Sequence, residues 1–362
     1  MNFFDASARF LGRPLALGAL LALAVGAAAM VLSFFFGVTQ SVLPGFATAW
    51  LFFAGLAAGS VALSAATRIA QGRFIDPALP FLESAGAFLP IAFALLLPSF
   101  LLARFWAPEH ARDGLAAVAV RDVVAFAALW LCARRVLRRE GEARWRAGSL
   151  RDSVVYLLVF VATVSLWTVD LVMNLYQGEP SGIVPAQAFM AAFVSAIAWA
   201  SLLSCWKLRA VHTRQDLGRM LFGFSAFWAY LVWCSFLPVW YANLPGETGE
   251  IILRTSGGWR FFSAAIVALA FVLPVLILFS ETAKRRKLPV TIAASGVLLG
   301  LLAERALLVL RPLPQPAFGL PMIGGAFATL GMVGLFVLFA GARLSAGFAS
   351  GRIQPPASGH SS

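Results

Sequence analysis

The sequence predicts an all-α integral membrane protein: a bundle of ten transmembrane helices in one polytopic domain over residues 1–350, with both termini cytoplasmic. Three observations predict it. The 362-residue chain is 60% hydrophobic and only 12% charged, with a mean hydropathy of +0.85, which leaves too little polar surface to coat a water-soluble globule. Its apolar residues fall in runs of about 18 to 25, the length a helix needs to cross a hydrocarbon core. Its Lys and Arg residues sit in short clusters between those runs, strongly biased to alternate connectors.

Ten runs qualify: 14–36, 44–69, 80–102, 115–133, 154–176, 184–206, 217–240, 261–279, 290–310 and 318–339. The fourth is the weakest, because Arg121 and Asp122 interrupt it. The first follows Arg9 and Arg13 and contains small residues near Ala24 to Ala29, as a signal peptide would. It is too long for such a segment and another run follows at once, so an uncleaved helix is expected. Residues 351–362, with Pro355, Pro356, Ser and Gly, read as a disordered tail.

The basic residues then set the orientation. The N-terminus, the second, fourth, sixth and eighth connectors and the tail carry 21 of the 28 Lys and Arg residues, leaving seven on the other side. The densest groups run from Arg134 to Arg151 and from Lys284 to Lys287. This bias predicts an even number of spans with cytoplasmic ends. The net charge of +12 is therefore a topology signal, with the lipid bilayer as partner and no nucleic acid. The longest connectors are about 15 to 20 residues, too short for a soluble domain.

Several chemistries are excluded. Cys132, Cys205 and Cys234 are isolated within apolar runs, and His110, His212 and His360 fall in connectors or the tail. Neither a metal site nor a bis-histidine haem is expected. There is no Walker A, HExxH, GxSxG or dinucleotide motif, and no residue is assigned a catalytic role.

Ionisable groups at membrane depth are costly, so each is a site candidate. Glu83 lies early in the third run, Arg121 and Asp122 early in the fourth, Asp170 late in the fifth, and Glu304 with Arg305 late in the ninth. Alternating span direction places Asp122, Asp170 and Glu304 together in the outer third of the bilayer, with Arg121 and Arg305 at the same depth as ion-pair candidates. Either an ion-pair network or the outer end of a proton-conducting or quinone-facing site is expected there. Thr168 and Tyr156 are hydroxyl candidates for the same proton path. In the seventh run, Trp228, Tyr230 and Trp233 are quinone-contact candidates, while Trp240 and Tyr241 suit an interfacial belt. Pro90, Pro98, Pro238 and Pro274 predict bends within spans.

Five segments carry a resemblance: FLESAGAFLP (81–90), TVDLVMNLY (168–176), QDLGRMLFGFSAFWAY (215–230), WYANLPGETGEIILR (240–254) and SGGW (256–259). In order and over most of the chain, they resemble the F subunit of bacterial alternative complex III, of the NrfD-like polysulfide-reductase membrane subunit superfamily. The resemblance implies a ten-helix subunit of the bacterial inner membrane in a quinol-oxidising respiratory complex. Its partners would be a sister NrfD-like membrane subunit, c-type cytochrome subunits and a periplasmic iron–sulfur subunit. Haem c and iron–sulfur clusters would reside in those partners, with quinone or quinol as the only cofactor near this chain. The family's aspartate corresponds to Asp170, and its outer-loop pattern to Asn243, Leu244, Pro245 and Glu247. The family's histidine pair near the end of span two is replaced here by VALSAATRI, and the acids after its NLP by Gly246 and Glu247. The loop after Asp170 reads YQGEPSG where the family has Glu, Pro, His and Trp. Two further readings stand beside this one: a ten-helix secondary transporter, and a purely structural assembly anchor.

Overall fold

A computed structural model describes residues 3–106, 114–138, 147–176, 181–208, 210–242, 245–312 and 320–349. Among these residues the chain is helical, with no strand, and ten helices are long and apolar enough to cross a membrane. They are α2 (Arg13–Phe35), α3 (Thr39–Ile69), α4 and α5 together (Leu79–Gly86, Leu89–Trp106), α6 (Leu115–Leu137), α7 (Ala147–Leu171), α8 (Val184–Lys207), α9 (Val211–Ala242), α11 and α12 together (Trp259–Val267, Leu273–Ile277), α14 (Lys287–Leu310) and α15 (Leu320–Ala349). Among the described residues, three short α-helices lie outside the spans: α1 (Phe3–Leu11), α10 (Pro245–Thr255) and α13 (Glu281–Arg285). The predicted tail, 351–362, lies outside the described residues.

Among the described residues, two spans contain a break or a wider turn, while Pro238 stays within a continuous helix. The third begins as a 3-10 turn at Arg73–Ala78 and breaks between Gly86 and Leu89. Pro90 cannot donate to the carbonyl of Gly86, so Ile91 bonds to Phe88 instead, at 2.9 Å. The eighth contains a π-helical turn, Ala268–Val272, two residues before Pro274. The wider turn is how the helix takes up the register that the proline disturbs.

The packing falls into two four-helix rings. In the first, α3 packs on α5, α5 on α6, α6 on α7 and α7 back on α3. In the second, α8 packs on α9, α9 on α12, α12 on α14 and α14 back on α8. The rings meet where α3 touches α8 and α14 and where α7 touches α8. Because four spans separate equivalent helices, the two rings run in the same direction. The most deeply enclosed spans, α3 and α8, lie at the junction. Trp50, Phe126 and Trp167 fill the first ring, with Phe126 and Trp167 ring centres 4.9 Å apart.

Outside the rings, α2 and α15 pair with each other and lean on α3. Small residues make this possible: a Cβ on Gly26 would lie 2.3 Å from the Cα of Gly331, and one on Gly45 2.2 Å from the Cα of Gly325. In a lipid solvent such backbone contact, rather than the hydrophobic effect, is what holds helices together. The N-terminal α1 is tied to the same unit, with Ser7 Oγ donating to the Leu338 carbonyl at 2.7 Å.

Candidate functional site

Two charged clusters form toward the end of the bundle away from the basic connectors. In the first, one turn of α6 faces the last turn of α7. Arg121 grips the Asp170 carboxylate with two donors, its Nε at 2.9 Å from Oδ2 and its Nη2 on Oδ1. Asp170's side chain is fully enclosed, while that of Arg121 is 52% exposed, so the arginine reaches in from the outer surface of the bundle. Asp122 is completely buried, and neither of its oxygens accepts a hydrogen bond. Its carboxyl lies beside that of Asp170. Asn174 continues the cluster by donating to the Asp170 carbonyl at 3.3 Å.

The second cluster joins α9 and α14. Trp228 Nε1 donates to Glu304 Oε1 at 3.1 Å, while Glu304 Oε2 sits 3.8 Å from Arg305 Nη2 and accepts no hydrogen bond. Arg305 instead donates to the Ala188 carbonyl of α8 at 3.0 Å. All three side chains are buried.

Between the clusters, at the junction of the rings, lies a cavity of about 20 Å³ of space for the centre of a water molecule. Trp167, Thr168, Ser195 and Arg305 contribute its polar lining. Trp167 Nε1 is buried without an acceptor. That volume suits one water, and the wall offers the two or more polar partners that a buried water needs. A quinone ring does not fit in it.

The structure thus brings together Arg121, Asp122 and Asp170, and separately Trp228, Glu304 and Arg305, with Thr168 at the cavity between them. It does not bring the others in. Tyr156 donates to the Ala58 carbonyl at 2.8 Å and lies fourteen residues, about 21 Å, down α7 from Asp170. Glu83 is half-buried on α4 at the basic end. Of the three aromatics on α9, Trp228 is 2% exposed, whereas Tyr230 and Trp233, at 57% and 53%, face outward. Asn243 and Leu244 lie outside the described residues, and Pro245 opens α10.

Some polar residues that matter to the packing were read in the sequence only as topology signals or passed over. Arg68 is buried and donates to the Val136 carbonyl at 2.8 Å, and Arg214 is buried at the start of α9. Gln187 ties α8 to α9 through the Leu231 carbonyl, 2.9 Å, and Ser235 Oγ, 3.0 Å. A polar residue placed within a helix end, rather than in a connector, was the available signal. Among the described residues no group of His, Cys, Asp and Glu gathers as metal ligands would. No protein-family model and no curated protein matches the chain.

Proposed function

We propose that this chain is a membrane subunit of a quinol:electron-acceptor oxidoreductase assembly of the alternative complex III type, handling protons and carrying no redox cofactor of its own. The observation that supports it best is the unequal treatment of Asp122 and Asp170. Asp170 is neutralised by Arg121, while Asp122 is buried beside it without a donor. A carboxylate in that position is expensive, whereas a carboxylic acid costs less and can donate its proton to the neighbouring Asp170 carboxylate. Asp122 is therefore the group suited to take up and release a proton, with Asp170 and Arg121 as its fixed neighbours. Glu304, held by Trp228, is the matching group in the second ring.

In this reading both termini are cytoplasmic, following the basic connectors, and the clusters lie in the outer leaflet of a bacterial inner membrane. Quinol would meet the chain on its lipid face at Tyr230 and Trp233, while Trp228 serves Glu304. The partners would be a sister NrfD-like membrane subunit, c-type cytochromes and an iron–sulfur subunit. The same-direction rings argue against a transporter of two inverted five-helix halves, although the breaks in spans three and eight lie five spans apart, as matched broken helices in such halves would.

The experiment is purification of the tagged chain from its native membrane, with a visible spectrum and mass spectrometry of what accompanies it. Co-purified c-type haem and an iron–sulfur subunit are expected; a colourless, solitary protein would defeat the proposal. In the assembled complex, Asp122→Asn should then lower proton coupling more than it lowers quinol oxidation.

A further inference from the structure

At the basic end, Lys284 to Lys287 connect α13 to α14 beside the start of α9. Two carboxylates belong to this cluster, and both are taken. Glu281 accepts from Lys284 Nζ at 2.8 Å, Gln215 Nε2 at 2.9 Å and Arg219 Nη2 at 2.9 Å. Asp216 accepts from Arg219 Nη1 at 3.1 Å. Four cations remain without a carboxylate among the described residues: Arg214, Arg285, Arg286 and Lys287.

Arg214 is 4% exposed. Its Nη1 donates to the Arg285 carbonyl at 2.8 Å and its Nη2 to the Leu208 carbonyl at 3.5 Å, while its Nε has no partner. Carbonyls satisfy donors but leave the charge uncompensated, and a buried cation in that state favours a nearby anion. Arg285, Arg286 and Lys287 are exposed around it, with Arg285 steadied by Gln215 Oε1 at 3.1 Å.

Two apolar stripes lead away from this charge. Leu288, Ile292 and Leu299 share one face of α14, and Val272, Leu276 and Phe279 follow the same periodicity along and just beyond α12; all six are exposed. The two helices pack together, with Gly296 and Gly300 of α14 lying against Leu273 and Ala270.

We propose that an anionic phospholipid binds here, its phosphate headgroup on Arg285, Arg286 and Lys287 over the buried Arg214, its acyl chains along the two stripes. Basic clusters at the membrane boundary between helices are suited to such headgroups. The proposal rests on the membrane character of the fold and is independent of the quinol reading.

The test is native mass spectrometry of the full chain released from detergent, titrated with phosphatidylglycerol or phosphatidylcholine. Wild type should retain phosphatidylglycerol and not phosphatidylcholine. R286Q/K287Q should weaken retention about 25-fold, at about five-fold per cation. R135Q/R138Q removes two exposed cations from the basic end of α6 and should change it less than two-fold. Circular dichroism establishes that each variant is folded. Equal loss in both variants would reduce the effect to diffuse surface charge, and equal retention of the two lipids would reduce it to apolar contact. Either result, or no retained lipid, overturns the proposal.

Discussion

Asp122 and Arg121 are neighbours in sequence, yet the ion pair forms between Arg121 and Asp170 on another helix. Adjacent helical residues point about 100° apart and do not face each other. Glu304 and Arg305, also adjacent, keep an ion pair at 3.8 Å, as expected, yet their hydrogen bonds go to Trp228 and to the Ala188 carbonyl. The sequence could therefore identify the charged residues and their common depth, but not their partners, which depend on which helices pack together. These partners make a testable ranking. Arg121→Gln leaves Asp170 enclosed without its cation and should cost about 3 kcal/mol. Asp122→Asn replaces a carboxyl that accepts nothing and should cost under about 1 kcal/mol. Trp228→Phe leaves Glu304 Oε1 without its donor and should cost about 1 to 3 kcal/mol, whereas Tyr230→Phe on the outer face should be silent. Thermal unfolding in a single detergent checks all four.

At the scale of elements, the ten spans were legible because each is a long apolar run, and all ten have a counterpart in the structure. Less visible were the ends. Span seven starts at Val211, six residues before its apolar run, because Arg214, Gln215 and Arg219 remain helical while bonding to α13 and its flanks. The 3-10 start and break in span three and the surface helix α10 carry no hydropathy signal. The α13 latch has its own pH signature. Hydrogen bonds from Lys284, Gln215 and Arg219 hold Glu281 down to about 2, below its ordinary 4.5. A depressed carboxyl stabilises the fold above the ordinary value and loses that contribution as pH falls toward the depressed one. Amide protection over residues 278–288, corrected for the intrinsic pH dependence of exchange, should stay constant from pH 7 to about 4.5 and fall between there and 2. Glu281→Gln should exchange faster at pH 7 and lose that dependence. Helix contact gives a further contrast. Gly331→Leu forces α2 and α15 apart and should lower the melting temperature clearly, while Gly18→Leu on the same pair meets open space and should not.

For the whole molecule, the membrane class followed from composition, but the two four-helix rings did not, because contact topology is not written as a repeat in the residues. Trp167 and Ser195 line the cavity at the junction of those rings although neither is ionisable. Reconstituted alone in liposomes, the chain should take up no solute, and any proton leak should fall with Asp122→Asn. The pairing of α2 with α15 also carries a consequence for biogenesis. Gly26 must wait for Gly331, 305 residues later, which at roughly 5 to 20 residues per second is about 15 to 60 seconds of synthesis. Throughout that interval the glycine faces of α2 and α3 stand open in the lipid, available to any other small-residue helix. The last span is thus a clasp, and a ribosome that stalls before residue 320 would leave every other helix inserted and the bundle unclosed.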